Sequence, residues 1–300
     1  MLKRKTKKAE RKNAKLTPFA IILLVCLVLY TVSFILPMVW AVITSLKDYN
    51  DFDVNVIGMP KEYLWENYVY VFNKVYIPVD VAGGTLNVGI PMMFWYSALY
   101  SLGCAFFQTL VPCLVAYLCA RFQEKFSKVV YTTVIVTMIL PIVGSLPAEI
   151  QMAKDLGLYN NIWGLWLMKA NFLGMYFLVF YAAFKGMPMA YTEAAKIDGA
   201  SNWRVLLTII MPMIRNTFFT VMLINFINFW NEYQTPMVYL PSYPTVAVGM
   251  FKIKESSGSE FARIPYRLAG SLLMFMPIFL VFLAVHEKLI GNLSVGGIKG

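Results

Sequence analysis

Charged residues are scarce in this sequence of 300 residues. They make up 14% of the chain, while hydrophobic residues make up 59% and aromatic residues 16%. Soluble globular chains carry about 25% charged and about 45–50% apolar residues. The mean hydropathy of +0.62 points in the same direction. The composition therefore excludes an ordinary soluble domain and predicts a chain that folds in a lipid bilayer.

Residues that carry catalysis or bind metals are also few. The single histidine, His286, is too little for a histidine metal site, and the four cysteines lie in apolar runs without Cys-x-x-Cys spacing. Neither a metal site nor a disulfide is therefore predicted. The segment Gly291–Ile298 comes nearest to a phosphate-binding loop, but Gly297 stands where that motif requires lysine. No Ser/His/Asp set and no His-Glu-x-x-His motif is found, so we predict that the chain is not an enzyme.

Positive charge is concentrated at the N-terminus. The chain has 26 Lys and Arg against 16 Asp and Glu, and eight of the basic residues lie within the first fifteen positions. They precede Leu16–Leu46, a run without any charge. This is the positive-inside pattern of a membrane helix with a cytoplasmic N-terminus. A nucleic-acid-binding arm is disfavoured because no soluble domain is predicted after it. A cleaved signal peptide is also disfavoured, because the apolar region of a signal peptide spans only about 7–15 residues.

Six apolar segments are near the length of about 20 residues that crosses a bilayer. They are Phe19–Leu46, Phe94–Cys119, Val129–Ala148, Ile162–Phe184, Thr217–Met237 and Leu268–Val285. Six spans place both chain ends on one side, and the segments assigned to that side hold 17 of the 26 basic residues but only five acidic ones. The sequence therefore predicts an all-α integral membrane protein with six transmembrane helices and both ends in the cytoplasm.

The predicted organisation is a single membrane domain, residues 19–290, between a basic cytoplasmic tail at 1–18 and a cytoplasmic tail at 291–300. The outer loop from Lys47 to Met93 includes the Gly-rich segment Gly83–Pro91, for which an irregular loop is predicted. In the same outer loop, Trp65–Phe72 fits either a short helix or an extended, edge-like segment. No separate soluble domain is predicted.

The segment between predicted spans four and five, Gly186–Pro212, contains the signals for two helices. Pro188 suits a first helical turn, and Ala190–Ile197 is rich in helix-forming residues. Asp198-Gly199 can end a helix because glycine tolerates left-handed backbone. Ser201 is suited to cap a second helix that continues into span five. These signals fit either a docking surface for a partner protein or an amphipathic helix at the membrane interface.

The same loop carries a spaced motif, with Glu193-Ala194-Ala195 followed by Gly199, Ile209, Met211 and Pro212. The pattern resembles the signature loop of the membrane subunits of binding-protein-dependent ABC importers, with Met211 in place of the usual leucine. Its fuller form, through Asp198-Gly199-Ala200, is similar to the carbohydrate branch and to the smaller membrane subunit of maltose-type systems. The resemblance implies a coupling helix that sits in a cleft of a separate ATPase subunit. The coupling residues it implies are Glu193, Ala194, Ala195, Asp198, Gly199, Ala200 and Pro212.

Other segments extend the resemblance over most of the chain. They are the basic tail with the first span, which ends in Ser45-Leu46-Lys47, then Trp230–Tyr233 in the fifth span, and the C-terminal Gly291–Gly300. In maltose-type systems this tail reaches between the two ATPase subunits. The resemblance therefore implies ATPase contacts for Gly296, Gly297, Lys299 and Gly300, and the alternative is a frayed chain end.

The resemblance also implies an assembly. The chain is expected to form half of the translocation pathway for a sugar or oligosaccharide in the bacterial inner membrane, beside a second homologous membrane subunit. A dimer of ATP-binding cassette ATPases is expected to hold ATP and Mg, so this chain is expected to bind no cofactor. An extracytoplasmic solute-binding protein is expected as a further partner. Nucleic acid is not expected as a partner. The alternatives are a stand-alone secondary transporter, for which neither repeats nor broken midplane helices are evident, and an intramembrane enzyme, for which catalytic residues are missing.

Polar residues in the fifth predicted span are candidates for the solute pathway, because polar groups in membrane helices usually face an interior or a cavity. Amide and carboxylate groups suit sugar hydroxyls, and aromatic rings suit the flat faces of sugars. The candidates are Asn228, Trp230, Asn231, Glu232 and Tyr233. The alternative is that these residues hold neighbouring helices together through hydrogen bonds. Lys169 in predicted span four is expected to extend to the outer interface.

Overall fold

The computed structural model describes residues 17–81, 83–122, 125–140, 144–255 and 263–293. These ranges contain fourteen α-helices and one pair of β-strands. The helices are α1 (Pro18–Ser45), α2 (Tyr49–Val54), α3 (Glu66–Lys74), α4 (Ile90–Arg121), α5 (Lys125–Ile139), α6 (Leu146–Asp155), α7 (Ile162–Met168), α8 (Met175–Lys185), α9 (Ala190–Ile197), α10 (Asn202–Val205), α11 (Met211–Asn231), α12 (Gln234–Tyr239), α13 (Val246–Glu255) and α14 (Ile264–Leu293). The strands, β1 (Tyr76–Val81) and β2 (Gly84–Gly89), lie between α3 and α4.

Four helices of the described chain are long and apolar enough to cross a membrane. They are Pro18–Ser45, Ile90–Arg121, Asn202–Asn231 and Ile264–Ala284, and they correspond to predicted spans one, two, five and six. The third of them is continuous because a π-helical turn, Leu206–Ile210, joins α10 to α11. The length and apolar composition of these helices fit a multi-pass membrane protein.

The other two predicted spans are shorter than expected. The helix α5 has 15 residues, and predicted span four is divided into α7 and α8 by residues 169–174. Gly174 directly precedes α8 with a φ of +124°, a backbone conformation that lies outside any right-handed helix and that favours glycine. A non-helical stretch therefore interrupts predicted span four, and the count of six spans stays a prediction.

The helix α4 is the centre of the bundle and contacts α7, α8, α11 and α13. Along its C-terminal half it packs against the buried rings of Phe177, Phe180 and Phe184 of α8. Along its N-terminal half, Tyr100 and Cys104 pack in a second cluster with residues of α7 and α11. All of these helices therefore share α4 as their packing partner.

The helix α1 lies at the edge of the bundle, where it packs along α14. Of its 28 residues only Thr44 and Ser45 are buried, and most of the exposed residues are apolar. A continuous apolar surface of this size is stable against lipid hydrocarbon but not against water. The helix α1 therefore presents most of its surface to the bilayer.

The loop between α1 and α4 contains a β-hairpin, so the all-α prediction is wrong for this segment. The strands β1 and β2 pair in antiparallel register, with Ile77 opposite Val88. The side chains of Ile77, Val79 and Val88 are buried in a cluster with Met93 and Val246. A strand buries alternate residues in this way because successive side chains point to opposite faces.

The glycines of this hairpin explain why an irregular loop is the wrong prediction for Gly83–Pro91. Gly83 and Gly84 have φ angles of +108° and +147° and lie at the turn and at the start of β2. The two glycines only allow the chain to reverse direction between the strands, and the residues after them pair with β1. The nearby segment Trp65–Phe72, which fits two structures by sequence, is mostly helical and belongs to α3.

Buried polar contacts fix the start of this loop to the end of α1. The side chain of Lys47 is fully buried, and its ammonium group donates a hydrogen bond to the carbonyl oxygen of Asn55. The amide nitrogen of the Asn67 side chain donates to the carbonyl oxygens of Ser45 and Lys47, at 2.9 Å each. Because buried backbone groups are costly when unpaired, these bonds hold α3 against the end of α1.

Candidate functional site

The loop between α8 and α11 contains the predicted helix, bend and second helix. The helix α9 ends at Ile197, and Gly199 follows with a φ of +77°. The amide of Ala200 donates to the carbonyl of Ala195 at 2.9 Å, and the amide of Gly199 donates to that of Lys196 at 3.0 Å. This bond pair is a Schellman motif, in which a left-handed glycine pairs the last carbonyls of a helix. The predicted bend at Asp198-Gly199 is confirmed, whereas Pro188 lies two residues before α9 rather than in its first turn.

The second helix of the loop begins as predicted at Ser201. The hydroxyl oxygen of Ser201 accepts a hydrogen bond from the amide of Arg204 at 3.3 Å, which caps the helix. The π-helical turn then leads to Pro212, near the start of α11. Proline has no amide hydrogen, and its ring crowds the carbonyl of the residue four positions earlier. A wider π turn relieves that crowding, so the helix continues past Pro212.

The helix α9 has a packed face and an open face. Thr192 and Ala195 are buried, and Ala195 packs in the cluster between α4, α8 and α11. Glu193, Ala194 and Asp198 are exposed. Of the predicted coupling residues, Ala195 therefore supports the loop and Ala200 is half-buried, while Glu193, Ala194, Asp198, Gly199 and Pro212 are exposed.

Apolar side chains extend the open face of the loop. Ile197 is 86% exposed, Trp203 is 69% exposed and Leu207 is 63% exposed. Exposed apolar groups of this size next to Glu193 and Asp198 fit a surface that another molecule covers. Both interpretations of the loop, a docking surface and an interfacial helix, are compatible with this exposure.

Arg121, which the sequence reasoning did not select, links α4 to the segment that enters α9. Its Nη1 atom donates to the carbonyl oxygen of Met187 at 3.4 Å and lies 2.7 Å from the sulfur of Met189. Its Nε and Nη2 atoms are buried without an acceptor among the described residues. The available signal was a basic residue in the last turn of an otherwise apolar span.

The polar residues of α11 divide into packed and exposed groups. The side-chain amide of Asn225 is buried and donates to Thr109 of α4 at 3.0 Å. Trp230, a predicted pathway residue, is 5% exposed, and its indole nitrogen donates to the carbonyl of Met274 in α14 at 3.1 Å. Both residues hold helices together, as the alternative interpretation predicts for such groups. Asn228 and Asn231 are exposed.

Glu232 ends α11 and joins it to α4. One carboxylate oxygen of Glu232 accepts a hydrogen bond from the hydroxyl of Tyr100 at 3.1 Å, and the other accepts one from the hydroxyl of Thr235. Tyr233 stacks on Phe251 of α13, with ring centroids 4.3 Å apart. The predicted pathway segment therefore lies where α11 stops and the chain turns into α12.

Lys169 stands at the start of the interruption between α7 and α8. Its ammonium nitrogen lies 5.6 Å from the ring centroid of Phe229 in α11. The ring of Phe229 contacts the ring of Tyr100 edge to face, at 5.7 Å. Lys169 thus belongs to the same neighbourhood as Glu232.

The predicted ATPase contacts Gly296, Gly297, Lys299 and Gly300 lie outside the described residues.

Comparison with known proteins identifies relatives over most of the chain. It is 25% identical to the lactose transport system permease protein LacG of Rhizobium radiobacter, over 73% of this chain and 80% of that protein. It is 25% identical to the diacetylchitobiose uptake system permease protein NgcG of Streptomyces coelicolor, over 93% and 88% respectively. It is 28% identical to the melibiose/raffinose/stachyose import permease protein MelC of Bacillus subtilis, over 62% and 68%.

The fold is shared with a solved transporter. A chain of a bacterial ABC transporter involved in the import of the acidic polysaccharide alginate superposes with a TM-score of 0.74 at 20% identity, covering 90% of this chain and 95% of that one. The family described as the binding-protein-dependent transport system inner membrane component matches residues 112–292, which is more than half of the chain. The protein therefore belongs to that family, and its relatives include permease proteins named for sugar transport.

Proposed function

We propose that this chain forms half of the translocation pathway for a saccharide and couples solute movement to ATP hydrolysis on a separate ATPase subunit. The observation that carries the proposal is α9, which ends in a Schellman motif and exposes Glu193, Ala194 and Asp198. A rigid helix end with a small central residue suits a protein cleft, since Ala194 lets a partner backbone approach closely. Its base is fixed, because Ala195 and Ala200 pack against the bundle.

The proposed assembly has four kinds of component. Beside this chain stand a second homologous membrane subunit, a dimer of ATP-binding cassette ATPases that holds ATP and Mg, and an extracytoplasmic solute-binding protein. The chain crosses the bacterial inner membrane six times with both ends in the cytoplasm. The concentration of basic residues in the tail and in the segments around residues 121–128 and 185–215 supports this orientation. The C-terminal residues Gly296, Gly297, Lys299 and Gly300 are proposed to contact the ATPase dimer.

The proposed solute is a sugar or an oligosaccharide. The relatives named for lactose, diacetylchitobiose and melibiose support this class. On this chain, the exposed amides of Asn228 and Asn231 and the half-buried carboxylate of Glu232 are suited to hydrogen bonds with sugar hydroxyls. Trp230 is buried and hydrogen-bonded, so its proposed part is to hold α11 against α14.

The coupling proposal is tested by placing a large side chain on the loop. Gly199→Trp is expected to lower both ATPase association and uptake by more than tenfold, because the indole projects from the bend that the partner is proposed to receive. The control is Gly157→Trp. Gly157 also has a positive φ, +67°, and open space at its Cβ position, so both variants carry similar backbone strain. Equal behaviour of the two variants would contradict the proposal.

A further inference from the structure

Lys169 directly follows α7, which packs against the middle of α4. The indole nitrogen of Trp166, one helical turn before it, donates to the carbonyl of Leu99 at 3.1 Å, and the same ring fills the space beside Gly103. At about 1.5 Å per residue, Gly103 is about 20 Å from the start of α4 and about 27 Å from its end. The partner ring of Lys169, Phe229, lies two residues before the end of α11, so the extension of Lys169 to the outer interface stays a prediction.

The ammonium group of Lys169 has no counter-charge at contact distance. Its contact in the described chain is the face of Phe229, and no carboxylate there forms an ion pair with it. The side chain is half-buried rather than sealed in the core. Charged groups at membrane depth are costly and face a bundle interior or a water-filled cavity. A half-exposed ammonium within the bundle is therefore expected to face water or a polar ligand.

The neighbourhood of Lys169 contains one negative charge that is already engaged. Glu232 accepts hydrogen bonds from Tyr100 and Thr235, one on each carboxylate oxygen. Tyr100 in turn contacts Phe229, the ring under Lys169. The ammonium of Lys169 and the carboxylate of Glu232 thus contact the neighbouring rings of Phe229 and Tyr100 without forming an ion pair. The net charge of the two groups is zero, which favours a solute without net charge.

The free hydrogen-bonding capacity is mainly that of a donor. The ammonium of Lys169 offers up to three donors. A ring such as that of Phe229 also offers a flat apolar surface, although its near-complete burial leaves Lys169 as the accessible group. Hydroxyl oxygens are suitable acceptors for these donors.

We propose that Lys169, at the break between α7 and α8, is a solute-contacting residue that donates hydrogen bonds to the hydroxyl oxygens of an uncharged saccharide, while Glu232 supplies the balancing charge. The inference rests on the proposed function and adds a residue and a solute class to it. Discontinuous helices commonly provide binding groups in transporters, and residues 169–174 interrupt the helical segment that begins with α7.

The test uses the whole transporter reconstituted in vesicles, with this chain, the second membrane subunit, the ATPase and the solute-binding protein. Labelled lactose, melibiose and diacetylchitobiose are the neutral probes, and digalacturonate is the acidic one. The neutral probe that the unaltered transporter accumulates is carried forward. Preferential accumulation of digalacturonate, or accumulation of none of the neutral probes, would overturn the proposed solute class.

Lys169→Met is expected to raise the solute concentration for half-maximal uptake at least about tenfold, because loss of a charged donor changes affinity by that order. Lys169→Arg keeps the charge but moves the donors, so a rise of about threefold with a maximal rate within about twofold is expected. Lys154→Met is the matched control, since Lys154 also lies over a ring, that of Tyr159 at 5.1 Å, on the exposed helix α6. It is expected to leave both quantities unchanged.

An unchanged half-maximal concentration in both Lys169 variants, or an equal change in Lys154→Met, would overturn the assignment of Lys169. If Lys169→Met inserts poorly into the membrane, Lys169→Arg distinguishes the two roles. If the positive charge is only structural, arginine replaces it and the half-maximal concentration stays unaltered. Failure of the coupling proposal is seen separately. It appears in the association of the Gly199→Trp variant with the ATPase, which is measured without solute.

Discussion

The ring of Trp166 occupies the space that a side chain at Gly103 would need, since a Cβ atom built on Gly103 lies only 1.9 Å from that ring. Gly103→Ala is therefore expected to lower the free energy of unfolding by about 1–3 kcal/mol, the usual cost of overpacking. Thermal unfolding in detergent measures it. Gly186→Ala is the control, because its nearest contact would be an ordinary 3.4 Å. Equal midpoints for the two variants would show that α7 is free to move away.

Arg121 is expected to transmit movement between α9 and α4. Arg121→Met removes the contact with the carbonyl of Met187 while keeping an unbranched apolar side chain. Transport-coupled ATPase activity is expected to fall several-fold while the assembled complex still forms. The control is Arg215→Met, since Arg215 is exposed on α11 outside the loop Gly186–Pro212. An Arg121 variant with normal coupling would remove this residue from the proposed route.

The hydrogen bond between Tyr100 and Glu232 is expected to fix the end of α11. Tyr100→Phe removes it at a cost of about 1–3 kcal/mol, because the carboxylate of Glu232 loses a donor. A double-mutant cycle with Glu232→Gln, measured by thermal unfolding, isolates the pair energy. Tyr117→Phe changes another buried tyrosine of the same helix and serves as control. A coupling energy near zero would mean that the bond does not stabilise the fold.

Asn67 is expected to stabilise the junction between α1 and the hairpin loop. Asn67→Ala leaves the buried carbonyls of Ser45 and Lys47 without this donor, at about 1–3 kcal/mol for each unpaired group. Faster proteolysis of the loop is the expected result in right-side-out vesicles. Asn50→Ala, at an exposed position, is expected to be cut at the unaltered rate. Equal cleavage of both variants would place the anchor elsewhere.

The loop at Gly186–Pro212 was the most predictable part of the fold because its signals are local. A left-handed glycine and a serine cap determine where α9 ends and where α10 begins, and neither depends on distant residues. The hairpin is not evident from the sequence, because its glycines indicate an irregular loop and the alternating residues Ile77, Val79 and Val88 are few. Those three side chains are buried against Met93 and Val246, and Val246 is far from both strands in the sequence.

The exposure of the predicted pathway residues was less predictable, since exposure depends on tertiary packing. Residues 228–233 share a polar segment, yet Trp230 turns inwards because the backbone of α14 offers its indole an acceptor. Hydropathy alone also does not reveal that predicted span four breaks beside Lys169. The contacts of Lys169 with α11 arise only when the helices have assembled on α4.

The continuous helix from Asn202 to Asn231 has a mechanical consequence. It holds 30 residues without an intervening loop, so it spans about 45 Å as one rod. A tilt of about 5° around one end displaces the other by about 4 Å over that length. The short helix α9 is joined to this rod by four residues that include a glycine bend and a serine cap. Under the coupling proposal, a small tilt produced at the loop is expected to displace the far end of this helix by about 4 Å.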